Sequence, residues 1–126
     1  MAGTKRPYLL TDSVALSANG SGELTFRVGA NEHFEGHKIA FVKTSTFSIT
    51  TIKNDSGLPF TNADTDDPIT STLLPTTITD QNNPIEFDAV LVIEKNDALT
   101  IQVLDTSGSS NTLRAVIYGT IESLTT

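Results

Sequence analysis

The segment HFEGH comes nearest in this chain to a known type of catalytic site. His33 and His37 stand four residues apart with Glu35 between them, and on one face of a helix that spacing can hold zinc. The zinc-protease motif needs a glutamate directly after the first histidine, but Phe34 stands there. Gly36 also disfavours a helix. The segment is therefore predicted to be a loop that holds no metal.

A second group of potential metal ligands is acidic. The stretch NADTDDP brings Asp64, Asp66 and Asp67 close together, and calcium binds clusters of oxygen ligands. The EF-hand pattern fails, because the central glycine and the distal glutamate that it needs are missing. We expect an exposed acidic loop and leave calcium binding open as an alternative.

The sequence contains few of the residue patterns that enzymes use for catalysis. The chain has no cysteine, no glycine-rich phosphate loop and no serine in a nucleophile-elbow pattern. Two carboxylates brought together by folding could hydrolyse a sugar. Such a site would need aromatic platforms, however, and the chain has no tryptophan and two tyrosines. We predict a protein that is not an enzyme and uses no cofactor.

The charge balance and the hydropathy pattern limit the partners. Eight basic and 15 acidic residues give a net charge of -7, which a phosphate backbone would repel. No stretch approaches the roughly 20 apolar residues of a membrane span, and the start MAGTKRPYLLTD has no signal-peptide core. We therefore expect no nucleic-acid partner, no membrane partner and assembly in a cytoplasm.

Alternation of apolar and polar residues predicts strands along most of the chain. ELTFRV, for example, places Leu24, Phe26 and Val28 on one face. Seven or eight such strands, the first over residues 8–17, predict an all-β chain: a single-domain antiparallel β-sandwich over residues 1–126, jelly-roll-like in its connections. Residues 93–120 are predicted to form its final hairpin. The side chains predicted to line the core there are Leu99, Ile101, Val103, Leu113, Ala115 and Ile117.

Residues 54–84 differ from the rest and are predicted to be one long Pro/Thr/Asp-rich loop. Prolines are excluded from central strands, and four fall in this range. Apolar residues stranded among such breakers predict a partner-binding surface, with Phe60 as its anchor. The alternative is that the loop covers an open end of its own sandwich. The candidate partner-binding residues in the loop are Leu58, Phe60, Ile69, Leu73 and Leu74.

Residues 1–7 are predicted to form a mobile N-terminal tail. It contains the basic pair Lys5 and Arg6 and leads into Tyr8. We expect these three residues to assist the loop in binding the partner.

The second half of the chain carries a family resemblance. The segments NPIEF and VLVIEKNDALTIQVLDTSGSSNTLRAVIYG, in a small acidic chain without cysteine, resemble jelly-roll-like decoration (cement) or auxiliary capsid proteins of tailed bacteriophages. The resemblance implies a homotrimer that binds the major capsid protein and stabilises the assembled shell. It also implies a place on the capsid exterior after assembly in the host cytoplasm. The alternatives are a carbohydrate- or receptor-binding jelly-roll module and a head-fibre or tail structural domain.

Overall fold

The structure, a computed structural model, describes residues 2–64, 66–70 and 85–124, and every regular element in these ranges is a strand. The predicted all-β antiparallel sandwich is confirmed. Since the described residues form no helix, none of them provides a helix that could cross a membrane. The strands are β1 (Ala2–Leu16), β2 (Ser21–Arg27), β3 (Glu32–Lys43), β4 (Phe47–Asn54), β5 (Ile69–Thr70), β6 (Ile85–Ile93), β7 (Ala98–Asp105) and β8 (Asn111–Leu124).

The strands form two four-stranded antiparallel sheets, in the orders β1-β8-β3-β6 and β2-β7-β4-β5. The first strand pairs with the last, the second with the seventh, the third with the sixth and the fourth with the fifth. Successive pairs alternate between the sheets. The predicted final hairpin is therefore wrong, because β7 and β8 lie in opposite sheets and the chain crosses between them.

The core lies between the two sheets and follows the period-two pattern. Each of the six residues predicted to line it is at most 1% exposed. They come from one strand of each sheet: Leu99, Ile101 and Val103 from β7, and Leu113, Ala115 and Ile117 from β8. Buried aromatic rings fill the space between the sheets, and the ring centroids of Phe41 and Phe47 lie 5.8 Å apart.

Two segments predicted to be irregular lie in strands. Strand β1 begins at Ala2 and pairs with the end of β8, so residues 2–7 extend the sheet instead of forming a tail. The HFEGH segment lies in β3 rather than in a loop. Its Phe34 is fully buried, and β3 pairs with β8 on one side and β6 on the other. Burial of an aromatic ring and two strand neighbours together favour a strand at this position.

The long loop is described over residues 54–64 and 66–70. It contains the two-residue strand β5, in which Ile69 and Thr70 pair with Ile49 and Ser48 of β4. Residue 65 and residues 71–84 lie outside the described ranges.

Candidate functional site

Strand β6 leaves its regular pairing with β3 in the middle of its length. Gly36 pairs with Leu91, and the next pair along β3 joins Lys38 to Glu86. Residues 87–90 of β6 therefore stand opposite His37 alone. Unpaired extra residues bend a strand away from its neighbour, so the edge of the sheet opens here.

An apolar cavity of about 400 Å³ lies behind this irregular stretch, between the two sheets. Strands β3 and β6 line it from one sheet and β4, β5 and β7 from the other. Every described residue that lines it is apolar. Two features of the described residues leave this space: β5 contributes two residues, Ile69 and Thr70, and β6 departs from its ladder. The described residues therefore leave the sandwich incompletely closed along this edge.

Phe60 lies at the rim of this cavity in a defined backbone conformation. The buried side chain of Asn54 organises the turn before it, and its Oδ1 accepts hydrogen bonds from the Leu58 amide at 2.7 Å and the Ser56 hydroxyl at 2.8 Å. The Phe60 amide then donates to the carbonyl of Ile52 at 2.8 Å. These bonds return the chain along the edge of β4, so the rim is built by backbone geometry.

The structure brings together some of the predicted contact residues. Phe60, which is 37% exposed, and Ile69 line the same cavity. Leu58 is 58% exposed and does not line it. Leu73 and Leu74 lie outside the described residues.

The predicted contacts near the N-terminus lie elsewhere. Lys5, Arg6 and Tyr8 belong to β1, which is separated from β6 by two intervening strands of the same sheet. The guanidinium of Arg6 lies 5.7 Å from the centroid of the Tyr8 ring. Lys5 Nζ lies 3.5 Å from Glu35 Oε1. These residues therefore do not form one site with Phe60.

One histidine of the HFEGH segment, His33, lies between two carboxylates. His33 Nε2 lies 3.3 Å from Glu35 Oε2, and its Nδ1 lies 3.3 Å from Glu94 Oε2. The hydrogen bond with His33 is the main cause that lowers the pKa of Glu35, and Lys5 adds to it. Among the described residues, no three histidines or acids gather as metal ligands.

The acidic cluster predicted to be an exposed loop forms a local turn. Asp64 Oδ1 accepts hydrogen bonds from the amides of Asp66 at 2.9 Å and Asp67 at 2.7 Å. All three side chains are exposed. A carboxylate that accepts nearby amides is ordinary turn chemistry.

Sequence reasoning missed a buried carboxylate at one end of the sandwich. Asp105 is 2% exposed. It accepts hydrogen bonds from the Ser107 hydroxyl at 2.6 Å, the Asn19 amide at 2.8 Å and the Asn111 side-chain amide at 3.1 Å. The amides of Ser107 and Gly108 donate to it as well. These bonds hold the pKa of Asp105 far below its usual range, and the bond from the Ser107 hydroxyl has the largest effect.

Asn111 extends the network around Asp105 to a third loop. Its Nδ2 donates to the carbonyl of Thr46 at 2.8 Å, and its Oδ1 accepts from the Ser45 amide at 3.0 Å. The network thus joins the turn after β1, the loop before β4 and the loop between β7 and β8. An aspartate followed by TSGSSN signals a local turn, but the long-range partners have no signal in the sequence.

Comparisons with known proteins give no family. No family model and no curated protein matches the chain. Among solved structures, the chain is similar to the Drosophila NLP core, whose crystal structure was described for its insight into pentamer formation and histone binding. The match has 12% sequence identity, covers 89% of this chain and 97% of that one, and has a TM-score of 0.36. At this similarity the match carries no weight for this chain's fold or function.

Proposed function

We propose that this chain is a structural virion protein that binds the outer surface of an assembled capsid and stabilises it, as decoration (cement) proteins do. The observation that carries the proposal is the rim of the apolar cavity. The Phe60 amide donates a hydrogen bond to the carbonyl of Ile52, and the residue is 37% exposed. Leu58, two residues before it, is 58% exposed. A preorganised aromatic side chain loses little conformational entropy on binding and is a common interface anchor.

The strand order supports a jelly-roll interpretation of the sandwich. The nested pairing of first with last and second with seventh strand is what eight strands wound as two Greek keys would produce. Jelly rolls occur in viral capsid proteins and in lectins. In this proposal the partner is the major capsid protein, and the chain acts as a homotrimer on the capsid exterior after assembly in the host cytoplasm. A net charge of -7 suits a position away from packaged nucleic acid.

The test compares two equally exposed apolar residues in a shell-binding assay. Phe60→Ala removes the rim anchor, whereas Val42→Ala changes a side chain of β3 that is 38% exposed and lies away from the cavity. Cosedimentation with shells of the major capsid protein from the same genome measures binding. We expect Phe60→Ala to weaken binding about tenfold or more, which is about 1.4 kcal/mol, and Val42→Ala to leave it unchanged.

Thermal melting of the same variants separates contact from stability. The proposal expects both variants to melt within a few degrees of the original chain. It fails if the original chain does not bind the shells, or if the two variants bind equally well. A fall in melting temperature that matches the loss of binding would show that Phe60 belongs to the core.

A further inference from the structure

We propose that the cavity behind strand β6 is a binding site for a small, uncharged, apolar molecule of the size of an alkyl-substituted benzene. The inference goes beyond the proposed function and does not depend on it. It concerns the space between the sheets, whereas shell binding concerns the surface at the rim.

The cavity lining determines the chemistry of the ligand. Its floor consists of core side chains such as Ile49, Leu99 and Ile101, each 1% exposed. No described lining residue carries a charge or a polar side chain. A buried water needs two to four polar partners, so water is poorly accommodated in such a space. A charged ligand would find no counterion there, which leaves a neutral apolar molecule as the favoured occupant.

The volume and the access of the cavity agree with this class of ligand. An apolar protein cavity of roughly 150 Å³ stays dry and binds benzene, and the present cavity measures about 400 Å³. It can therefore hold an aromatic ring with an alkyl chain. Its rim includes the partly exposed side chains of Phe60 and Val90, so a ligand can enter from solvent where β6 leaves its ladder.

The probe for this site is n-butylbenzene, added alone to the full chain labelled at its methyl groups for NMR. We expect saturable shifts of the methyl signals of Ile52 and Ile69, which line the cavity. The methyl signals of Val14 should not shift, because Val14 lies on β1 at the other edge of the sheet. Shifts that grow linearly at all three positions would show non-specific solvation and overturn the proposal.

A filling variant and a matched control locate the binding. Ala89 lines the cavity, and Ala15 is exposed on β1. Ala89→Phe should weaken butylbenzene binding about tenfold or more, while Ala15→Phe leaves it unchanged. If Ala89→Phe does not fold, Ile69→Trp fills the same space from β5. Equal binding by the filling variant and the control would overturn the site.

The chain's own apolar residues are the competing occupant. If the original chain does not bind butylbenzene but the double variant Leu73→Ala with Leu74→Ala does, side chains of the chain itself take the place of a ligand and the proposal is wrong. The titration contains no shell protein. A failure of the proposed ligand site is therefore distinguishable from a failure of the proposed decoration function.

Discussion

Two regions of the sandwich close its core in opposite ways. At the end near Asp105 and Asn111, both side chains are 2% exposed and hydrogen bonds join three loops. Along the edge at β6, the ladder is interrupted and apolar side chains surround a cavity of about 400 Å³. Hydrogen bonds are directional, so a satisfied buried network specifies one geometry. Apolar contact is not directional, so the side chains along the β6 edge do not specify one geometry in the same way.

We expect the first region to contribute more to the stability of the fold, and the second region is where binding is proposed. A buried polar network is costly to break, because each orphaned group loses its hydrogen bonds without regaining water. A partly open apolar edge loses less when one side chain changes. Substitutions in the two regions should therefore differ in their effect on unfolding.

The largest effect is expected from Asp105→Ala. The change removes the acceptor of hydrogen bonds from Asn19, Ser107, Gly108 and Asn111. We expect it to lower the free energy of unfolding by more than the truncation of one core side chain does, because several neutral donors lose their shared acceptor at once without regaining water. Urea unfolding measures the change.

The control for Asp105→Ala is the exposed Asp88 of β6. Asp88→Ala should stay within about 0.5 kcal/mol of the original chain. If the two variants unfold at the same urea concentration, the hydrogen-bond network around Asp105 does not stabilise the fold as predicted.

A smaller contrast is expected between two isoleucines. Ile101 of β7 is 1% exposed, and Ile69 of β5 is only partly buried. Truncation to alanine should cost about 2–5 kcal/mol at Ile101 and about 1 kcal/mol at Ile69. Melting temperatures of the two variants check this order. An unchanged melting temperature for Ile101→Ala would mean that Ile101 does not lie in the core.

The last expected contrast is in the pH dependence of stability. Folding lowers the pKa of Asp105 from its usual 3.8 and that of Glu35 from its usual 4.5. Below these usual values the unfolded chain takes up protons before the folded chain does. The stabilisation is therefore complete above the usual pKa and is lost as the pH falls toward the lowered one.

Replacing each carboxylate by its neutral amide separates the contributions of Asp105 and Glu35 to stability in acid. Asp105→Asn should flatten the fall in stability below pH 3.8. Glu35→Gln should flatten it less, starting near pH 4.5, because Glu35 is partly exposed and its contacts with His33 and Lys5 are screened by solvent. Urea midpoints across a pH series measure both slopes. If Glu35→Gln flattened the pH dependence of the urea midpoint more than Asp105→Asn did, Glu35 would contribute more to stability in acid, contrary to this prediction.

Residue alternation predicted the faces of the strands but not their partners. ALTIQVLD buries Leu99, Ile101 and Val103 as expected, because alternation is a local property of an extended chain. The predicted hairpin over residues 93–120 failed because β7 and β8 pair with distant strands. Leu113, for example, stands opposite Val14 and Lys43. Local spacing carries no information about such partners.

The HFEGH segment shows that residue propensity, like residue alternation, cannot predict structure that depends on distant strands. Gly36 and the charged residues around it favour a loop by propensity, yet the segment lies in β3. Its neighbours β8 and β6 are far away in sequence, and their pairing together with the burial of Phe34 outweighs local preference. The acidic turn at Asp64, by contrast, was predictable because its hydrogen bonds span three residues or fewer.

The sequence by itself determined the all-β class, the core faces of the strands and an acidic surface free of cysteine, because these depend on composition and on neighbours along the chain. Only the tertiary structure decided that Asp105 would meet the amide of Asn19, which lies 86 positions away. It also decided that β6 would leave the β3 ladder opposite His37 and open a cavity beneath Phe60. Both features depend on which strands pair and in what register, and the hydrophobic pattern of a single strand is satisfied by many such pairings.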